Sequence, residues 1–268
     1  MTRPHTGGES DASNVSNAGG GPGGIIDEIR LAAAFLTIVP AISNRRFDDR
    51  TIANSFGWFP LIGFILGAAL ALEDRLLATL FDTAIRSVLV IATLTALTGA
   101  IHVDALADAA DALGAGRERE RALEIMRDSR IGSFGAAAIF IALALEIVAL
   151  VSIPDGRRFA ALIVAPGLAR WVMVAVSYRL EYLRAAGAGS TILARDGARN
   201  LALASVTTMA ALFCFASWRM LSAAALAIVV ALAMRAFYRR WIGGVTGDLI
   251  GAAGELATVA VLLTIAAR

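Results

Sequence analysis

The sequence predicts an all-α protein, a polytopic membrane helix bundle of about seven transmembrane helices preceded by a helix that lies at the membrane interface. Three observations carry this expectation. Hydrophobic residues make up 58% of the 268 positions, charged residues only 17%, and mean hydropathy is +0.71. A soluble domain carries roughly 25% charged residues, so the apolar excess must face lipid. Apolar stretches of spanning length recur along the chain, about 20 helical residues being needed to cross ~30 Å of hydrocarbon. The 24 basic residues, all arginine, collect in alternate loops, as they do in proteins that thread a membrane repeatedly.

The first 24 residues are rich in Gly, Ser and Asn and have no apolar core of their own, so they are expected to form a disordered tail. They contain no hydrophobic segment followed by a small-residue cleavage site and are not expected to be a secretory signal. Residues 25–268 are then a single integral-membrane domain. Its first segment, IIDEIRLAAAFLTIVPAI from Ile25, is short and carries Asp27, Glu28 and Arg30, which suits an interfacial helix stopped by Pro40. Seven spans are expected after it, at Phe56 to Leu72, Ala84 to Val103, Phe134 to Ile153, Phe159 to Tyr178, Leu201 to Ser217, Met220 to Phe237 and Leu249 to Ala267.

Arginine placement orients these spans. On the side of the amino terminus lie 17 arginines, including Arg45, Arg46, Arg117, Arg119, Arg121, Arg127, Arg130, Arg199, Arg239 and Arg240; the opposite side has six, and Arg170 stands alone inside a span. Basic residues in short loops are retained in the cytoplasm, so the amino terminus is expected inside. The net charge of +2 is too even for a nucleic-acid-binding surface. The single cysteine, Cys214 in an apolar run, excludes a disulfide framework or cysteine metal site.

The polar residues that could do chemistry concentrate in two inside loops. Asp104, Asp108 and Asp111 are spaced i, i+4, i+7 and share one face if the second span continues as a helix. Three carboxylates within two turns repel one another unless a cation sits among them, and Mg²⁺ takes carboxylate oxygens, usually with phosphate completing its shell. A wetted helix end paired to nearby arginines explains the triplet equally well, and a cation channel or proton path would also use it. Glu124 and Asp128 form a further i, i+4 pair, with Arg127 and Arg130 on the same stretch. Guanidinium groups for phosphate oxygens beside acids for a metal suit phosphoryl transfer. The alternating RERER from Arg117 reads instead as a solvated helix. In GGVTGDLIGAAGE, Gly243, Gly244 and Gly247 allow a tight loop with amides turned toward an anion, ahead of a helix beginning near Asp248. Glu255 is expected to face the bundle interior, because an unpaired acid in lipid costs ~2.5–3.5 kcal/mol. Glu146, alone in ALALEIVAL, reads as a buried packing or hydrogen-bonding residue.

At these loops the sequence resembles the cobalamin synthase family, the integral-membrane adenosylcobinamide-GDP ribazoletransferases. LTGAIHVDALADAADALGAGRERERALEIMRDSRIGSFG matches that family's H-x-D-G-x-x-D followed by L-E-I-M-R-D-S-x-x-G-x-x-G, and GGVTGDLIGAAGE its G-G-x-T-G-D-x-x-G-A-x-x-E. FLTIVP from Phe35 and FPLIGFILG from Phe59 match its amino-terminal segments, with weaker agreement at Ala169-Arg170-Trp171 and from Tyr182 to Gly189. Ala105 stands where the family usually has glycine, and Ser133 at a position the family varies.

The resemblance implies the last assembly step of the coenzyme B12 nucleotide loop. The donor would be adenosylcobinamide-GDP, the acceptor α-ribazole or its 5′-phosphate, the products adenosylcobalamin or its 5′-phosphate and GMP. It also implies Mg²⁺ and the cytoplasmic (inner) membrane of a bacterium; docking with other enzymes of the pathway is one reason for such a step to sit there. On this reading Asp104, Asp108, Asp111 and Asp248 hold Mg²⁺ on the donor diphosphate, Arg127 and Arg130 neutralise phosphate oxygens, and Thr246 and Gly247 donate hydrogen bonds. A ribose hydroxyl attacks phosphorus and its proton goes to His102 or to a free carboxylate. His102 and Asp104 point ~200° apart on a continuous helix, so both serve one site only if the helix ends or bends there. A CDP-alcohol phosphotransferase would show D-G-x-x-A-R, which is absent, and a proton- or cation-coupled transporter would often show an internal repeat, of which there is none.

Overall fold

A computed structural model describes residues 23–39, 47–114, 116, 118–128, 130–183 and 197–267. Residues 1–22 of the expected tail, Pro40, Arg45, Arg46, Arg117 and residues 184–196 lie outside the described residues. Gly23 and Gly24 belong to the folded part: Gly24 caps α1 (Ile25–Leu36), and the Gly23 N–H donates to Thr51 Oγ1 at 3.0 Å. The chain continues through α2 (Asp49–Ser55), a 3₁₀ turn (Phe56–Trp58), α3 (Phe59–Leu77), α4 (Thr83–Leu97), α5 (Ile101–Gly114) and α6 (Arg119–Ile125). It ends with α7 (Ser133–Ser152), α8 (Asp155–Ser177), α9 (Gly197–Cys214), α10 (Trp218–Trp241) and α11 (Gly247–Ala266). Among the described residues the β structure is one isolated parallel bridge between Tyr182 and Val245.

Among the described residues five helical segments are long and apolar enough to cross a membrane: Asp49–Leu77, α7, α8, α10 and α11. The chain is therefore a multi-pass membrane protein. Two of the seven expected spans differ from expectation. The second is not continuous to Val103: it breaks after Leu97 and restarts at Ile101 with α5 inclined by 86° to α4, which makes six spans if the bent pair counts as one. Gly99 and Ala100 both take left-handed φ, 60° and 57°, which reverses the chain locally. Glycine does this freely and alanine at a cost of about 1 kcal/mol. The end of the first segment braces the break, Ile38 N–H donating to Leu97 O at 2.9 Å. The fifth expected span corresponds to α9, which falls short of the other spans because Arg199 and Asn200 occupy its first turn. Both are engaged there: Arg199 bonds Glu28 on α1, and the Asn200 amide donates to Ala53 O at 2.9 Å.

The polar contacts sort the helix ends into two groups. At one end Asp74 on α3 accepts from Arg158 Nε at 2.9 Å and from Arg86 Nη1 at 3.0 Å, while Arg158 also donates to Leu150 O at 2.5 Å and to Ser87 Oγ at 3.1 Å. This ties the end of α3, the start of α4, the end of α7 and the start of α8. Arg157 reaches Ile265 O, and Arg219 reaches Ala267 O, adding α10 and α11. At the other end α1 lies across α2 and the head of α9: Glu28 accepts from Asn54 Nδ2 at 2.7 Å, Trp58 Nε1 at 2.8 Å and Arg199 Nη2 at 3.1 Å. The helix termini thus alternate between two ends, and α9 takes its turn in that order although it falls short of the other spans.

Small residues let the central helices touch. A Cβ on Gly63 would lie 2.5 Å from Pro166 O, and one on Gly67 2.5 Å from Leu162 O. These glycines, four apart on α3, allow backbone contact with α8, the packing that works in lipid where no hydrophobic force drives helices together. The far-end cluster sets a stability expectation. Asp74→Ala leaves Arg158 buried without its carboxylate and Arg86 with Asp155 alone, and breaking a buried pair costs about 3–5 kcal/mol. The midpoint of denaturant unfolding in detergent is expected to fall accordingly, and a midpoint equal to wild type would refute this account of the cluster.

Candidate active site

The acidic residues stand on α5. Asp104 is exposed, Asp108 and Asp111 are half-buried, and His102 is buried on the opposite side. Because Asp104 N–H already donates to Ala100 O at 2.9 Å, both His102 and Asp104 lie inside regular helix and point apart. The bend falls one residue too early to bring them together, so the expectation that they share one site does not hold.

Asp111 has a different task from the one expected. Its carboxylate oxygens accept the N–H of Gly132 at 2.7 Å and of Gly135 at 2.8 Å. Gly132 is the N-cap of α7 and has no side chain to satisfy those donors, so Asp111 caps α7 from a neighbouring helix. Both glycines are required sterically, since a Cβ at either would run into that carboxylate.

The last glycine-rich loop closes against the segment that follows α8 and the end of α6. Gly243 has φ 77°, and Val245 N–H donates to Glu181 O at 2.8 Å while Leu183 N–H donates to Val245 O at 3.0 Å. Thr246 is the N-cap of α11, its hydroxyl oxygen accepting from Leu249 N–H at 3.3 Å, and lies 3.7 Å from Met126 Sδ and 3.5 Å from Asp248 Oδ2. Thr246 is fully buried and so positions the loop rather than facing a ligand; Gly247 beside it is exposed and Asp248 half-buried. Along α11, a Cβ on Gly251 would lie 2.6 Å from Ala105 Cβ. At this close approach Asp108, one turn beyond Ala105, and Asp248, one turn before Gly251, stand toward the same end of the α5/α11 seam.

Arg127 and Arg130 flank the buried Met126 and the exposed turn after α6. With Arg121, Glu124, Ile125 and Asp128 they line an open cavity of about 220 Å³. Arg130 makes a fork on Asp128, Nε to Oδ1 at 3.0 Å and Nη2 to Oδ2 at 2.6 Å. That hydrogen bonding holds the Asp128 carboxyl down to about 2, below its ordinary 3.8. Arg121 pairs with Glu124 at 2.7 Å, as expected for a solvated helix. The cavity presents guanidinium groups whose present partners are exposed carboxylates, which a phosphate can replace.

Among the described residues no group of three or more His, Cys, Asp or Glu side chains already stands at metal-holding spacing. The donor set nevertheless fits Mg²⁺: Asp104, Asp108 and Asp248 are hard oxygen donors, and this ion is usually held by one or two carboxylates together with substrate phosphates rather than by an all-protein cage. Sequence reasoning missed a second constellation. Arg170, Glu146 and Glu255 come from three different helices and meet His102 in the interior; the signal was Arg170 itself, a charge inside a span that requires partners.

The whole arrangement has relatives. The family model for cobalamin-5-phosphate synthase matches residues 28–266. The chain is 39% identical to the adenosylcobinamide-GDP ribazoletransferase of Syntrophobacter fumaroxidans, over 86% of this chain and 94% of that protein. It is 36% identical to the protein of the same name from Desulforamulus reducens, over 87% and 93%, and 32% identical to that of Vibrio cholerae, over 88% and 92%. No solved structure matches it. With the motif-bearing segments folded into one end of a helix bundle and the match running nearly end to end, the chain belongs to the cobalamin-5-phosphate synthase family.

Proposed function

We propose that this protein transfers the cobinamide-phosphate moiety of adenosylcobinamide-GDP to α-ribazole or α-ribazole 5′-phosphate, giving adenosylcobalamin or its 5′-phosphate and releasing GMP. The observation that supports the reading is the α5/α11 seam: two motifs more than 100 residues apart in sequence meet where Gly251 touches Ala105, with Asp108 and Asp248 each one turn away, and the arginine-lined cavity after α6 offers guanidinium groups for phosphate. That end holds most of the arginines, which supports a cytoplasmic site in the inner membrane of a bacterium.

In this mechanism Asp104, Asp108 and Asp248 would hold Mg²⁺, which when bound would neutralise diphosphate oxygens. Asp111 keeps its capping role on α7. Arg127 and Arg130 take the phosphate oxygens, Arg130 exchanging the Asp128 carboxylate for a substrate anion of the same geometry. Gly247 N–H, at the exposed start of α11, donates to the same anion. The ribose hydroxyl forms a new P–O bond as the P–O bond to GMP breaks, and its proton passes to a carboxylate oxygen not occupied by the metal, His102 being turned into the bundle.

Two expectations follow from these roles. Asp104→Asn and Asp108→Asn should each lower GMP release by roughly 100-fold or more with membrane protein levels intact; near-normal turnover in either would remove the carboxylates from the chemistry. Arg130→Gln should raise KM for the donor about 10- to 100-fold, the worth of a hydrogen bond to a charged group. The Asp128 carboxyl is depressed, so its pair with Arg130 is fully present above about pH 4 and is lost only as pH falls toward about 2. Donor KM should therefore show no step from this pair between pH 5 and 8, and a step there that vanishes in Asp128→Asn would contradict the assignment.

A further inference from the structure

Four ionisable side chains from four helices meet in the bundle interior: His102 on α5, Glu146 on α7, Arg170 on α8 and Glu255 on α11, with 4%, 2%, 3% and 8% exposure. Two glycine contacts bring them together. Beside Glu255, a Cβ on Gly254 would lie 2.9 Å from Met173 Cγ and 3.7 Å from Ala169 O, the residue before Arg170; a Cβ on Gly251 would lie 3.9 Å from His102 Cα. The Arg170 guanidinium interacts electrostatically with all three others. Four of its buried atoms lack a hydrogen-bond partner, Arg170 Nε, Glu146 Oε1 and both His102 nitrogens, against Arg86 Nε in the far-end cluster around Asp74. Orphaned buried polar atoms of this kind are costly and mark functional places more often than packing ones.

The cluster lies directly behind the acidic face. Helix α5 is pinned at its start by the Gly99–Ala100 break and at its end by the Asp111 cap; between them its inner face meets the cluster at His102, while Asp104 looks out from the other side. We propose that Arg170, with Glu146 and Glu255, is a positioning residue that sets the rotation of α5 through His102 and so places Asp104 and Asp108 against Asp248. The inference rests on the proposed transfer reaction. It assigns Arg170 no contact with substrate. Small displacements of this kind act on the rate, since about 1 Å of misplacement can cost 100-fold.

The test uses the full chain purified in detergent. The doubly neutral variant Arg170→Gln/Glu255→Gln removes one charge of each sign and keeps hydrogen-bonding amides. Spin labels at Leu113→Cys on α5 and Leu263→Cys on α11, both exposed positions, in a Cys214→Ser background, report how α5 sits on α11. The expected result is an unfolding midpoint within a few degrees of wild type, KM for both substrates within about 2-fold, kcat lower by at least about 10-fold, and a shifted or broadened label distance. A folded variant with wild-type kcat and an unchanged distance overturns the proposal. Should the double variant fail to insert, the same readings are taken on His102→Asn, which leaves the other three intact; failure of that variant also to fold assigns the cluster a purely structural role and overturns the proposal too. Wild-type protein that releases no GMP refutes the transfer reading instead, and the label distance then tests the positioning role by itself.

Discussion

A charge carried into hydrocarbon must find a partner there, and this constraint decides how the helices of this protein are arranged. Translocation-based costs of ~2.5–3.5 kcal/mol per charged residue exceed what one close-packed contact returns in lipid. Charges therefore appear only where several helices can share them. Asp74, Arg86 and Arg158 bind the ends of α3, α4, α7 and α8, and Glu28 collects donors from α2, the turn after it and α9. Glycines at Gly63, Gly67, Gly251 and Gly254 then bring the backbones close enough for those partners to meet. Apolar residues supply the membrane; the few polar ones supply the register.

The second consequence concerns the break before α5. Backbone N–H and C=O groups freed inside a membrane protein must be satisfied by protein, and here Ile38 N–H takes Leu97 O while Ala100 N–H returns to Thr95 O at 2.8 Å. The break turns α5 by 86° from α4, so a helix that would otherwise have run on away from the bundle lies against α6, α7 and α11 instead. That the brace comes from the FLTIVP segment explains why a short motif so far from the acidic loops belongs to the same pattern.

Most of this was legible in the sequence, and what was not has physical causes. Composition and arginine spacing were sufficient for the bundle and for the alternation of ends, because lipid permits few architectures. The boundary of α4 was missed because Thr98-Gly99-Ala100 is short and apolar on both sides, and hydropathy does not register two positive φ angles. The carboxylates of Asp104, Asp108 and Asp111 read as equivalent, being on one stripe, yet only the fold shows that the last faces the uncapped amides of α7. Thr246 and Gly247, adjacent in the motif, divide between a buried cap and an exposed amide. Glu146 and Arg170 each looked solitary because their partners come from other helices, and no local pattern relates positions so far apart in the chain.

The two interior clusters differ in a way that separates stability from function. Around Asp74 nearly every donor finds an acceptor, and the helices it joins are held at the end farthest from the acidic seam. Around Arg170 the charges compensate one another while several hydrogen bonds stay unmade. An arrangement of that kind holds helices by electrostatics, which falls off slowly with distance, rather than by directional bonds, which do not tolerate displacement. It meets α5 at His102, whose two ring nitrogens make none of those bonds. On the proposed reaction, that cluster would orient the acidic face of α5 toward a ligand whose phosphates complete the metal's shell. The more fully bonded Asp74 cluster, at the other end of the bundle, ties α3, α4, α7 and α8 together by directional bonds.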